Sequence, residues 1–200
     1  MEQRTEILPC FPLSVFLFPG EDIPLHIFEP RYKELINDAR TEGITFAIPF
    51  LIKHEIQEFG CEVRLKDVVA EKEDGSMVIV VESLDIVEIS HYSRQFEGKP
   101  YAGGRIRRLS CDDPVISKEL LELIDNYRAQ YDPDFLSSSQ DLTVSRKDVI
   151  IALNLSSDEK YKFICMNGSE QREGFLSGQL RYLSLIRRQE DLLGDDFGLN

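Results

Sequence analysis

Cysteine, histidine, serine and carboxylates at set spacings are the residues with which a chain can do chemistry. Cys10, Cys61, Cys111 and Cys165 stand about 50 residues apart, and no two form a C-x-x-C pair. His26, His54 and His91 are equally scattered, so no metal-ligand spacing exists and neither metal nor cofactor is expected. The thiols read as small buried apolar residues. His26 lies within an apolar run, where a hydrogen-bonded structural histidine explains it better than a catalytic one. The paired acids Glu21-Asp22, Asp112-Asp113 and Asp195-Asp196 sit beside turn residues. A general acid needs a sheltered carboxyl with a shifted pKa, so solvated turn acids account for these pairs better. Gly98-Lys99-Pro100 lacks the earlier glycine and the hydroxyl of a phosphate-cradling loop, and neither G-x-S-x-G nor H-E-x-x-H occurs. No catalytic residue is assigned. A hydrolase cleft would require His26, Glu29 and Arg31 to converge in one sheltered place.

The elements that would carry these residues fall into two kinds. Residues 1–110 are β-rich. Ile7 to Leu13, Val15 to Phe18 and Ile23 to Phe28 are apolar runs cut by Pro9, Pro12 and Pro19-Gly20, and prolines point to edge strands of a barrel-like wall. Pro30 suits the first turn of a helix, Phe28, Tyr32, Leu35, Ile36 and Ala39 fall at helical spacing, and Gly43 lies past its end. Ile44 to Leu51 reads as another edge strand because of Pro49, and Cys61, Val63 and Leu65 alternate with charged residues as in a half-buried strand. Glu73-Asp74-Gly75-Ser76 is turn chemistry before Met77 to Val81, with a further strand from Ser83 to Ile89 after a bend. Tyr101 to Leu109 closes the set, and Gly103-Gly104 marks a bulge or a close backbone approach.

Residues 111–200 change to a helical period. Leu120, Ile124, Tyr127 and Tyr131 share a face of a helix that ends at Asp132-Pro133-Asp134, and a polar loop follows at Ser137-Ser138-Ser139-Gln140. Ser145 with Asp148 and Ser156 with Glu159 are capping boxes for two short helices. A longer helix carries Leu176, Leu180 and Leu183 and is expected to stop before Gly194, leaving Asp195 to Asn200 as a frayed tail.

Charge narrows the partners. The formal net charge is −13, from 36 acidic and 23 basic residues. Such a field repels polyanions, and strand alternation would divide Arg105, Arg107 and Arg108, the densest basic cluster, between two faces. No apolar run approaches the roughly 20 residues of a membrane span, and the N-terminus has neither the basic start nor the apolar stretch of a signal peptide. A cytoplasmic location follows as the expectation.

One stretch is specific. Leu8-Pro9-Cys10-Phe11-Pro12-Leu13, then Leu17-Phe18-Pro19-Gly20, then Ile23-Pro24-Leu25-His26-Ile27-Phe28-Glu29-Pro30-Arg31-Tyr32 closely resembles the opening of LON domains, roughly P-x-F-P-L, L-F-P-G and P-L-x-I-F-E-P-R-Y. Gly60-Cys61-Glu62-Val63, Asp74-Gly75 and Pro100-Tyr101 extend the likeness more diffusely. The resemblance implies an α+β fold, a PUA-like pseudo-barrel with one early helix (1–110) followed by a small helical subdomain packed on it (111–200). In Lon proteases this module precedes an ATPase and a serine-lysine peptidase and helps recognise substrates. The family also occurs as short stand-alone bacterial proteins and within cereblon-like receptors, whose zinc-binding C-x-x-C pairs are missing here.

The function implied is a non-catalytic substrate- or protein-binding module, an adapter in protein quality control or ATP-dependent proteolysis. Its partners would be other proteins or unfolded segments held in an apolar groove between barrel and helices, with a homodimer as a further option. The alternative is RNA binding, since PUA-like barrels occur in RNA-modifying proteins. The motif residues Pro24, His26, Phe28, Glu29, Arg31 and Tyr32 are the candidate binding set. The motif also has structural work to do. Pro30 starts the helix with Glu29 at its positive end, Arg31 pairs with a carboxylate, and Phe28 and Tyr32 pack one turn apart.

Overall fold

The computed structural model describes residues 5–96, 98–109, 116–136 and 144–197. The chain divides into two compact units, Met1–Cys111 and Asp112–Asn200.

In the first unit, period-two patterning forms β1 (Thr5–Cys10), β2 (Asp22–Ile27), β3 (Phe46–Ile52), β4 (Glu55–Glu71), β5 (Met77–Ser93) and β6 (Ala102–Arg108), with α1 (Pro30–Glu42) between β2 and β3. The strand order is β2-β5-β4-β3-β1-β6, and β6 pairs with β5 as well. That extra pairing closes β5, β4, β3, β1 and β6 into a ring. The first part of β5, Met77 to Glu82, pairs instead with the outlying β2. The region expected to bend between two strands is therefore one 17-residue strand whose flank opposite β4 is shared by β2 and β6. Register shifts at Glu62/Val63, Leu65/Asp67 and Val68/Ala70 absorb its curvature. This is the mixed α+β pseudo-barrel that the family resemblance implies.

Helix α1 lays Tyr32, Leu35, Ile36 and Ala39 onto Ile48, Cys61, Val63, Ile79 and Val81, the main core. Pro30 occupies the first turn and Gly43 caps the end in a left-handed conformation, φ +68°, its N–H donating to the Ala39 carbonyl at 3.1 Å. Val15 to Phe18 is not a strand. Phe16, Leu17 and Phe18 are buried in an irregular segment, pinned where the Phe18 N–H donates to Glu21 Oε2 at 2.7 Å. The Asp74 turn forms as expected, with the Ser76 N–H and hydroxyl donating to Asp74 Oδ1 at 2.9 and 2.7 Å.

The prolines correct the edge-strand expectation. β1 and β3 are interior, each with neighbours on both sides. The Phe11 N–H donates to the Ala47 carbonyl and the Leu13 N–H to the Pro49 carbonyl, so Pro49's missing donor faces β1 and the β3–β4 ladder is untouched. Pro9 likewise turns its nitrogen away from β6, towards the side where pairing with β3 ends at Cys10↔Ala47. Pro24 does sit on an edge. Ser83 donates to the Glu21 carbonyl, so alternation from Glu21 directs Pro24's nitrogen away from β5. Proline is thus selected by which flank of a strand lacks a partner at that residue, and not by whether the whole strand is an edge.

The second unit contains α2 (Lys118–Gln130), α3 (Arg146–Ala152), α4 (Ser157–Cys165) and α5 (Ser169–Phe197). Both expected capping boxes are present, at Ser145/Asp148 and Ser156/Glu159, and Ser117 caps α2. Leu120, Ile124, Tyr127, Val149, Ile150, Leu176 and Leu180 are buried. Arg146 is buried beside Glu173, its Nη2 2.8 Å from Glu173 Oε1. α5 does not stop before Gly194 but continues to Phe197, so Asp195-Asp196 lie on a helix and not at a turn. A single internal glycine costs a helix only about 1 kcal/mol relative to alanine, too little to end a long one. Cys165 is exposed, unlike the buried Cys10 and Cys61, which corrects the expectation of uniformly buried thiols. Cys111, Asp112-Asp113, the polar loop 137–140 and residues 198–200 lie outside the described residues.

Candidate functional site

The family-like motif spans β2, its exit and the first turn of α1. Alternation on β2 turns Ile23, Leu25 and Ile27 inward and leaves Asp22, Pro24 and His26 exposed. Phe28 follows at 62% exposure, its ring centroid 5.7 Å from that of His26. His26, expected as a hydrogen-bonded structural histidine, is therefore a surface residue beside an aromatic ring. The inward slots of β2 are taken by its odd-numbered residues, which leaves His26 on the solvent face. Arg31 pairs with Glu29 at 2.8 Å, both about half exposed, and its guanidinium lies 4.6 Å above the Tyr32 ring. Tyr32 itself is buried and stacks on Phe11, centroids 3.9 Å apart, so its ring partner lies across the core and not one turn back at Phe28.

The motif thus divides. Tyr32 is scaffold, whereas Pro24, His26, Phe28, Glu29 and Arg31 share the surface. The convergence that a hydrolase would need is not formed, because Glu29 and Arg31 neutralise one another in solvent while His26 faces Phe28. Among the described residues no group of three or more His, Cys, Asp or Glu is arranged to hold a metal ion. No helix among them is long and apolar enough to cross a membrane. Two of the three arginines of β6 are committed to carboxylates: Arg107 pairs with Glu88, and Arg108 with Glu62 at 2.8 Å and Glu6 at 2.8 Å. Burial pushes the Cys10 thiol up to about 12, which makes it inert near neutral pH.

A second feature has no counterpart in the sequence motifs. A cleft of about 520 Å³ opens between β1 (Glu6 to Pro9) and the approach to β3 (Gly43 to Thr45), with Phe96, Lys99 and Tyr101 lining it too. At its wall, Asp38 of α1 accepts from Lys99 Nζ at 2.8 Å and from the Tyr101 hydroxyl at 2.7 Å, and Glu34 lies 3.7 Å from Lys99. The Lys99 ammonium, then the Tyr101 hydroxyl, hold the Asp38 carboxyl below its usual range. Burial, then the bond to Asp38, raises the Tyr101 phenol. Asp38 is separated from Lys99 and Tyr101 by 61 and 63 residues, so no local pattern could join them. The one available signal was Pro100-Tyr101, which attached only to a strand start.

With this geometry in view, comparison with known proteins is decisive for the family. A family model described as the ATP-dependent protease La (LON) substrate-binding domain matches residues 7–164, and the chain belongs to that family. The match runs through the β-rich unit and into the helical one. The fold is shared with the Lon N-terminal domain protein from Xanthomonas campestris, at 20% identity and a TM-score of 0.62, over 90% of this chain and 98% of that one. It is also similar to the N-terminal domain of Mycobacterium avium complex Lon protease, at 13% identity and a TM-score of 0.50, over 89% and 96%.

Proposed function

We propose that this chain is a non-catalytic recognition module that holds exposed apolar or unfolded segments of other proteins, as a cytoplasmic adapter in protein quality control or ATP-dependent proteolysis. Membership of a substrate-binding family supports protein substrates as the ligand class. The observation that carries the reading is the exposed outer face of the motif, where Phe28 projects at 62% exposure beside His26 and Pro24. Rigid aromatic rings set among polar neighbours are the usual anchors of protein interfaces. A polyanion partner is disfavoured by the net charge of −13 and by the pairing of Arg107 and Arg108 with carboxylates.

The test is binding of a fluorescently labelled, chemically unfolded client protein, followed by anisotropy. Wild type binds, and Phe28→Ser weakens binding about tenfold while the fold stays intact, the loss expected of an anchoring aromatic. Equal binding by the variant would remove the motif face from the site. Absence of client binding by the wild type would remove the function.

A further inference from the structure

The cleft beside β1 carries an inference that rests on the proposed function and specifies how a substrate is held. Two separate sets of bonds fix the direction in which β1 presents its backbone. The Phe11 N–H donates to the Ala47 carbonyl, so alternate residues before Phe11, namely Pro9, Ile7 and Thr5, point the same way, away from β6. From the other side, the Leu109 N–H donates to the Ile86 carbonyl, which directs Arg107 towards β5 and Ile106 towards its partner Glu6 on β1. Both routes leave Thr5 and Ile7 with N–H and carbonyl groups turned away from β6, on the flank where Ile7 lines the cleft. Pairing with β3 ends at Cys10↔Ala47. The next bond of that ladder would need a donor on Pro9, which has none.

We propose that this flank of β1 is a strand-addition site, which takes an extended peptide carrying alternating basic and apolar side chains. The backbone groups of Thr5 and Ile7 supply main-chain bonds, the general mode by which sheet edges capture peptides. Ile7, 53% exposed, and Phe96 offer the apolar contacts. The charge of the cleft selects the peptide. Of the carboxylates lining it, Glu6 is paired with Arg108 and Asp38 with Lys99, so Glu42 and the carbonyl end of α1 supply the negative charge that a basic side chain meets. The volume, about 520 Å³, suits a short peptide segment and lies within the usual range of ligand clefts.

The probe is a fluorescein-labelled ten-residue peptide alternating lysine and valine, titrated into the full chain. It binds, and its glutamate-for-lysine counterpart does not. N-methylation of one central backbone amide on the peptide weakens binding about tenfold, the loss expected when one main-chain hydrogen bond is removed. Ile7→Pro gives a similar loss without touching the ladder to β6. Glu42→Lys, on the exposed end of α1, weakens binding about threefold at low salt and little at high salt. In ¹⁵N spectra the Ile7 and Thr45 amides shift on binding. Binding unaffected by N-methylation, or amide shifts confined to His26 through Arg31, would overturn the strand-addition site and leave the substrate-binding reading in place. Failure of this peptide while the unfolded client still binds would overturn this inference alone. Failure of both ligands would overturn both.

Discussion

Three glycines of the β-rich unit and two of the helical unit do opposite work. In the β-rich unit a Cβ on Gly60 would lie less than 3 Å from the Ile48 carbonyl oxygen and 3.0 Å from the Pro49 Cα, both backbone atoms. A Cβ on Gly103 would lie 2.5 Å from the Phe96 ring, and one on Gly104 would lie 2.9 Å from Cys10 Sγ. In the helical unit Gly174 and Gly178 would meet nothing within 4 Å. The first unit is built by close approach of distant chain segments, which only particular residues permit. The second is built from an apolar stripe and caps, which many sequences satisfy.

The largest effect that would break this comparison is at Gly60. Gly60→Val forces a side chain into backbone that cannot yield, and at least about 4 kcal/mol of stability is lost in chemical denaturation. A loss below about 1 kcal/mol would show that the β3–β4 crossing is not tight. Leu180→Ala, at a position 1% exposed, costs about 3 kcal/mol. Hydrogen exchange should place that loosening in the helices and leave the β-unit amides protected; uniform loosening would deny the units separate stability. Asp38→Asn costs about 1–2 kcal/mol by weakening its bonds to Lys99 and Tyr101. Because the Asp38 carboxyl titrates below its usual value in the folded state, its contribution is complete above the unfolded pKa and is lost as pH falls through the folded one. The variant should therefore show a shallower acid limb in a plot of stability against pH, and an unchanged limb would contradict the pairing. The smallest effect has the opposite sign. Gly178→Ala fills open space on α5 and raises stability by up to about 1 kcal/mol, seen as a higher Tm.

Most of the architecture was legible because it is local. Alternation located the strands, Pro30 and Gly43 bounded α1, and Ser145 and Ser156 announced their helices through residues three positions on. What was not legible depends on residues brought together from afar. Pro49 looked like an edge marker because a sequence shows that a donor is missing and not which flank of the strand it would have served. Gly194 looked like a terminus because its cost is visible locally, whereas the continuity of α5 across it is not. At the site, the candidate motif was found but not its division into buried Tyr32 and exposed Phe28. The Asp38–Lys99–Tyr101 cluster had no signature, since its members meet only when the ring closes.

That ring has a consequence for how the protein comes into being. β1 is made first, yet its ladder partner β6 lies about 100 residues later, from Ala102 to Arg108. At synthesis rates of about 5–20 residues per second, β1 waits roughly 5 to 20 seconds before residues that can close the ring exist. During that interval the β3–β4–β5 meander pairs with itself, while the flank of Thr5 to Cys10 that β6 will cover stays bare. The birth of this domain therefore includes a timed window in which its own N-terminal strand is an unfolded, partly apolar segment in need of protection.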